Sequence, residues 1–94
     1  MISGVQVEVN GKNVNSRISL SDFSDGGYII QQIALMNSNS NEVLARTVCG
    51  IIDKTVLTSF VCDIDFSKNL YVMKTELYNC EEQLIDSRED FICL

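Results

Sequence analysis

Residues 71–90 read YVMKTELYNCEEQLIDSRED. Over 71–78 the side chains alternate. Tyr71, Met73, Thr75 and Leu77 fall on one face, and Val72, Lys74, Glu76 and Tyr78 on the other, because successive residues of a strand point to opposite sides. The first set predicts a face turned to a core. NCEEQ at 79–83 is a polar turn, and the chain resumes as QLIDSREDFICL. The segment therefore predicts an antiparallel hairpin with Cys80 at its tip.

The same grammar runs through the rest of the chain. It has no proline, so turns fall to Asn, Gly, Asp and Ser. These cluster as NGKN at 10–13, SDFSDGG at 21–27, NSNSN at 37–41, DK at 53–54 and SKN at 67–69. Between them lie GVQVEV, SRISLS, YIIQQIALM, EVLARTVCGII and TVLTSFVCDIDF, rich in β-branched residues. Val5, Val7 and Val9 share a face, as do Ile18 and Leu20. In the fifth run Val56, Thr58, Phe60, Cys62, Ile64 and Phe66 share one, leaving Asp63 and Asp65 outward. About seven short strands at regular spacing predict an all-β, antiparallel sandwich. SLSDFSDGG at 19–27 is expected to hold at most one helical turn. At 94 residues the chain predicts a single domain.

The stretch from Phe60 to Phe91 resembles the closing strands of immunoglobulin-like and fibronectin type III-like sandwiches. A strand ends near Phe66, SKN makes a short loop, and Tyr71 opens the next strand as LYVMKTEL. That placement is similar to the tyrosine corner of those folds. LYNCEEQLIDSRE is similar to their last hairpin. The resemblance implies an immunoglobulin-like topology and a binding or spacer role, and it carries no catalytic residue across. The chain lacks the tryptophan of the early core strand.

Composition narrows the function classes. The longest apolar-rich run, YIIQQIALM, contains two glutamines and is far short of the roughly 20 residues of a spanning helix. The start, MISGVQVEVNGK, has neither a basic nor a continuous apolar signal region. The net charge is −6, and residues 48–94 carry 4 basic against 9 acidic side chains. An acidic surface repels phosphates, so nucleic acid is not an expected partner.

The four cysteines, Cys49, Cys62, Cys80 and Cys93, are spaced 13, 18 and 13 residues apart. Structural zinc wants closely spaced pairs, and the chain has neither a C-x-x-C nor a histidine. A hairpin puts Cys80 and Cys93 at opposite ends, roughly 25–30 Å apart, whereas bridged Cα atoms lie within about 7 Å. Cys49 and Cys62 read as small apolar core residues. Without histidine the Cys–His and Ser–His nucleophile pairs cannot form. Cys80, beside Glu81 and Glu82, is expected to be an exposed, reduced and sluggish thiol. That thiol and the absent signal favour a cytoplasmic setting.

Asp63 and Asp65 open like a calcium loop, D-x-D-x-S. Lys68 then stands where the glycine is needed and Lys74 where the bidentate glutamate is needed. They remain weak calcium candidates. No phosphate-binding glycine motif, nucleophile elbow or stacking platform of exposed aromatics is apparent. No cofactor is expected.

An all-β domain without catalytic groups predicts a non-enzymatic protein-interaction module acting through a sheet face or an edge strand, with edge-paired homo-oligomers as a corollary. Tyr78, Glu81, Glu82 and Asp86 are the candidate partner-binding residues, and the final strand is the candidate open edge. Two alternatives stand beside it. One is a small inhibitor or accessory protein, of the kind phages and mobile elements direct at host enzymes, using the acidic hairpin. The other is a structural sandwich domain of a virion or surface.

Overall fold

The computed structural model describes residues 1–21, 26–36, 43–68 and 70–92. Among the described residues seven strands follow one another: β1 (Ile2–Asn10), β2 (Asn13–Leu20), β3 (Tyr28–Leu35), β4 (Val43–Gly50), β5 (Thr55–Val61), β6 (Tyr71–Tyr78) and β7 (Leu84–Ile92). They form a three-stranded sheet, β1-β2-β5, and a four-stranded sheet, β4-β3-β6-β7. All the pairings are antiparallel. The fold is an all-β antiparallel sandwich, as the alternation predicts. Of the segment expected to hold a helical turn, residues 22–25 lie outside the described residues, as do the whole NSNSN turn at 37–41 and Cys93.

Tight turns close the hairpins that the sequence punctuates. Asn10 pairs with Asn13, and Gly11 between them takes φ +63°, a conformation open to glycine without strain. At the β6–β7 turn the Asn79 carboxamide does the organising. Its Oδ1 accepts the Glu81 and Gln83 amides, both at 2.9 Å, and its Nδ2 donates to Gln83 Oε1 at 2.9 Å. Glu82 is held at φ +63°.

The two-residue period puts the expected residues inside. Val14, Ile18 and Leu20 of β2, Val56 and Phe60 of β5, and Tyr71, Met73 and Leu77 of β6 are buried, and the β1 valines are half-buried. β5 ends at Val61, short of the expected Phe66. Its neighbour β2 begins at Asn13, which pairs with Val61. One further bond, from the Cys62 amide to the Lys12 carbonyl at 2.9 Å, exhausts the ladder. Beyond it the chain keeps its alternation, with Phe66 buried and Asp63 and Asp65 exposed, but among the described residues it has no strand to pair with.

The core has two apolar halves. One gathers Val14, Ile33, Phe60, Phe66, Tyr71, Met73 and Ile92. The other gathers Ile18, Leu20, Ile29, Ile51, Val56 and Leu77. Between them lies a polar layer built from one residue each of β2, β3, β5 and β6: Ser16, Gln31, Thr58 and Thr75, all buried. Ser16 is paired with Thr58 in one sheet and Gln31 with Thr75 in the other, so two cross-strand pairs face each other across the sandwich. Gln31 Nε2 donates to Ser16 Oγ at 2.9 Å and to Thr75 Oγ1 at 3.2 Å. Its Oε1 accepts from the Thr58 hydroxyl. Every member is satisfied, which is the condition for tolerating polar groups in an apolar interior.

Candidate interaction surfaces

The predicted partner-binding residues do not form one patch. Glu81 and Glu82 are exposed at the hairpin tip, presented by the Asn79 turn. Tyr78 is half-buried on the outer face of the four-stranded sheet. Its ring stacks on Tyr28 at 5.1 Å and 9°, and its hydroxyl donates to Glu76 Oε2 at 3.1 Å. Burial, and then that bond to a carboxylate, raise the phenol above its ordinary value. Asp86 is turned inward. Its Oδ2 accepts the Ile2 amide at 2.9 Å, tying β7 of one sheet to β1 of the other, so its carboxylate is engaged in closing the sandwich.

Cys80 is free and exposed in the turn. Cys49 and Cys62 are also free and half-buried, each packed against one half of the core. Burial, and the neighbouring Asp63 charge, push the Cys62 thiol above its ordinary value. The two calcium candidates have other partners. Asp63 lies 3.7 Å from Lys12 Nζ. Asp65 Oδ1 accepts the Ser67 amide at 3.0 Å and the Ser67 hydroxyl at 2.5 Å. Among the described residues, no group of three or more His, Cys, Asp or Glu side chains comes together. Among them also, no helix is long and apolar enough to cross a membrane.

A two-sheet sandwich leaves four edge strands: β1 and β5 in one sheet, β4 and β7 in the other. Unpaired backbone at an edge is a template for another strand, and proteins blunt it with charges, bulges or cover. The final strand, expected as the open edge, is blunted. Asp86, Arg88 and Asp90 project from one face of β7, Arg88 Nε donates to Asp90 Oδ1 at 3.2 Å, and a bulge interrupts its pairing beyond Leu77. β1 is bulged between Ile2 and Gly4 and carries Glu8. β4 carries Arg46, and its pairing is bulged at Ile33–Ala34.

β5 has none of these features. Its sequence, TVLTSFV, contains no charged residue, and its register with β2 is unbroken from Asn13–Val61 to Ser19–Thr55. On its outer face Leu57 is 66% exposed and Val61 80% exposed.

The backbone can be assigned as well. The Leu20 amide donates to the Lys54 carbonyl at 2.8 Å, and the Cys62 amide to the Lys12 carbonyl at 2.9 Å. These bonds fix the even-numbered residues of β5 as the ones that bond to β2. Antiparallel ladders alternate, so the N–H and C=O groups of Thr55, Leu57, Ser59 and Val61 point away from the sheet. Beside this edge, a cleft of about 480 Å³ opens between β5 and β4, lined by Ala45, Thr47, Phe60, Cys62 and Ile64 among others.

The sequence carried a signal for this edge: a seven-residue β-forming run without a charge, in a chain that is 21% charged. What the run alone could not give is that β5 ends its sheet. Comparison with protein-family models and with curated protein sequences finds no match.

Proposed function

We propose that this chain is a non-enzymatic protein-interaction module, of the immunoglobulin-like or fibronectin type III-like class, that binds through a strand edge. The class is supported by the three-plus-four division of strands and by Tyr71, which opens β6 buried and packed edge-on against Phe66 at 5.1 Å. The fourth strand pairs with the third. In constant-type immunoglobulin domains it joins the first, second and fifth, so the likeness leans toward the fibronectin side.

The observation that carries the reading is the uncharged, unbulged β5 edge with its exposed Leu57 and Val61. Apolar exposure beside free backbone groups is the arrangement used in strand-addition binding. The test is capture from the native host with the wild-type chain, Leu57→Lys and Val61→Lys, and with Glu81→Lys/Glu82→Lys as the control. Partner retention is expected to fall with the β5 variants and to persist with the hairpin variant. Retention unaffected by the β5 variants would overturn the reading.

The opposite pattern would favour the second reading, an inhibitor that presents its acidic hairpin to a basic site. The rigid Asn79 turn beneath Glu81 and Glu82 supports that alternative. Asp86 is left out of the comparison because it holds the Ile2 amide.

A further inference from the structure

The geometry points to a second copy of this chain as the occupant of the β5 edge, paired antiparallel about a two-fold axis through Thr58. This rests on the edge-binding reading above and names its partner.

Three observations select the occupant and the register. The first is charge. The chain carries −6 overall, so two copies repel across most of their surfaces. Thr55–Val61 is free of charge, and a β5–β5 contact places no like charges opposite one another within the strand. The same contact through β7 would bring the charged run of one copy against that of the other; an axis at Arg88, for example, sets Asp86 opposite Asp90 and Arg88 opposite itself. Just beyond the β5 strand end, Asp63 already has Lys12 at 3.7 Å.

The second is backbone. The outward-facing residues are Thr55, Leu57, Ser59 and Val61. An axis at Thr58 sets Thr55 opposite Val61 of the second copy and Leu57 opposite its Ser59. Every free N–H and C=O of the four residues then finds a partner. Moving the axis to Leu57 or to Ser59 leaves one end of each strand unpaired with the other.

The third is side chains. With the axis at Thr58, Val56 faces Phe60 of the second copy and Thr58 faces Thr58, so apolar meets apolar and polar meets polar on the inner face. The polar layer of one sandwich then continues into the next. An axis at Leu57 sets Val56 against Thr58, and an axis at Ser59 sets Thr58 against Phe60. On the outer face Leu57 lies diagonal to Leu57 and Val61 of the second copy, within reach for long side chains. Such a contact is isologous and closes at two copies.

The test is sedimentation equilibrium of the full chain, with amide exchange followed by NMR at low and high concentration. A single strand pair buries less than about 1,000 Å² and gives a weak association, so dimer is expected to grow in between about 10 μM and 1 mM. On that rise the amides of Thr55, Leu57, Ser59 and Val61 should become protected, while Val56, Thr58 and Phe60 are protected throughout.

Leu57→Lys brings two charges together across the axis and should weaken association at least about tenfold. Ser59→Pro removes an amide that the single copy leaves unpaired, so the monomer should keep its melting temperature and lose the dimer. A wild-type monomer at 1 mM overturns the inference. So does a dimer that survives both variants, or one that leaves the four amides fast. A strict monomer whose captured partner is still lost on Leu57→Lys overturns the second copy and leaves the edge-binding module standing.

Discussion

Gly27 lies directly against the end of β6: a Cβ placed on it would stand 2.2 Å from the Tyr78 carbonyl oxygen. The same glycine accepts the Ile51 amide through its own carbonyl at 3.0 Å, so its backbone is held on two sides. Gly27→Ala therefore has no room to relax. It is expected to separate the start of β3 from β6, break the Tyr28–Tyr78 stack and cost more than about 2 kcal/mol. Urea unfolding gives the stability, and tyrosine fluorescence or near-ultraviolet dichroism reports the stack.

The buried polar layer predicts an asymmetry between single and multiple replacement. Gln31→Leu leaves the Ser16, Thr58 and Thr75 hydroxyls without their central partner and should destabilise by about 2–3 kcal/mol. Replacing the group together, as Ser16→Ala, Gln31→Leu, Thr58→Val and Thr75→Val, should recover most of that loss, since no orphaned group remains. Denaturant midpoints of the two variants decide it; equal losses would count against the network as drawn.

Glu82 occupies the left-handed region at φ +63° without the freedom of glycine. Glu82→Gly is expected to stabilise the hairpin by about 1 kcal/mol. Asn79→Ala, which removes the acceptor for two turn amides, should destabilise by about 1–2 kcal/mol. Thermal melts of the two variants should move in opposite directions.

The pH dependence has a defined sign at Asp65. The Ser67 hydroxyl, then the Ser67 amide, hold its carboxyl below the ordinary 3.8, and Lys68 adds to them. A group depressed in the folded state contributes stability above its unfolded value and loses it as pH falls through the folded one. Unfolding followed from pH 5 downward should show that loss beginning near 3.8. Ser67→Ala should flatten this limb, and the two proteins should converge once the carboxyl is protonated in both states.

Thiol chemistry should separate the cysteines. Cys80 is exposed, whereas burial and Asp63 raise the Cys62 thiol, so less of it is thiolate at any given pH. Alkylation near pH 8, mapped by mass spectrometry, is expected to modify Cys80 first and Cys62 more slowly. Unfolding should abolish the difference.

The faces of β5 and β6 were legible because a strand has a period of two and an apolar interior: Thr58 and Thr75 fall inside with their apolar neighbours. Where β5 stops was not legible, because that depends on where β2 begins. The meeting of Gln31 with Ser16 and Thr58 was hidden for a related reason, since it is made between sheets rather than along a strand. Asp86 reads as a surface acid in IDSRED, and only the arrival of Ile2 from the other end of the chain gives its carboxylate a partner. Which of the four edges lies bare is a property of strand order, so the final strand, the last in sequence, drew attention that β5 takes in the fold.

The pairing of Val14 with Phe60 has a consequence for synthesis. The first hairpin can zip up as soon as it leaves the ribosome, yet its second strand waits for its other neighbour in the sheet, encoded more than forty positions later. Contacts separated so widely along the chain form slowly. Until then the nascent polypeptide displays a half-built sheet, and anything that shields it, whether a chaperone or a neighbouring nascent chain, will influence the yield of the finished domain.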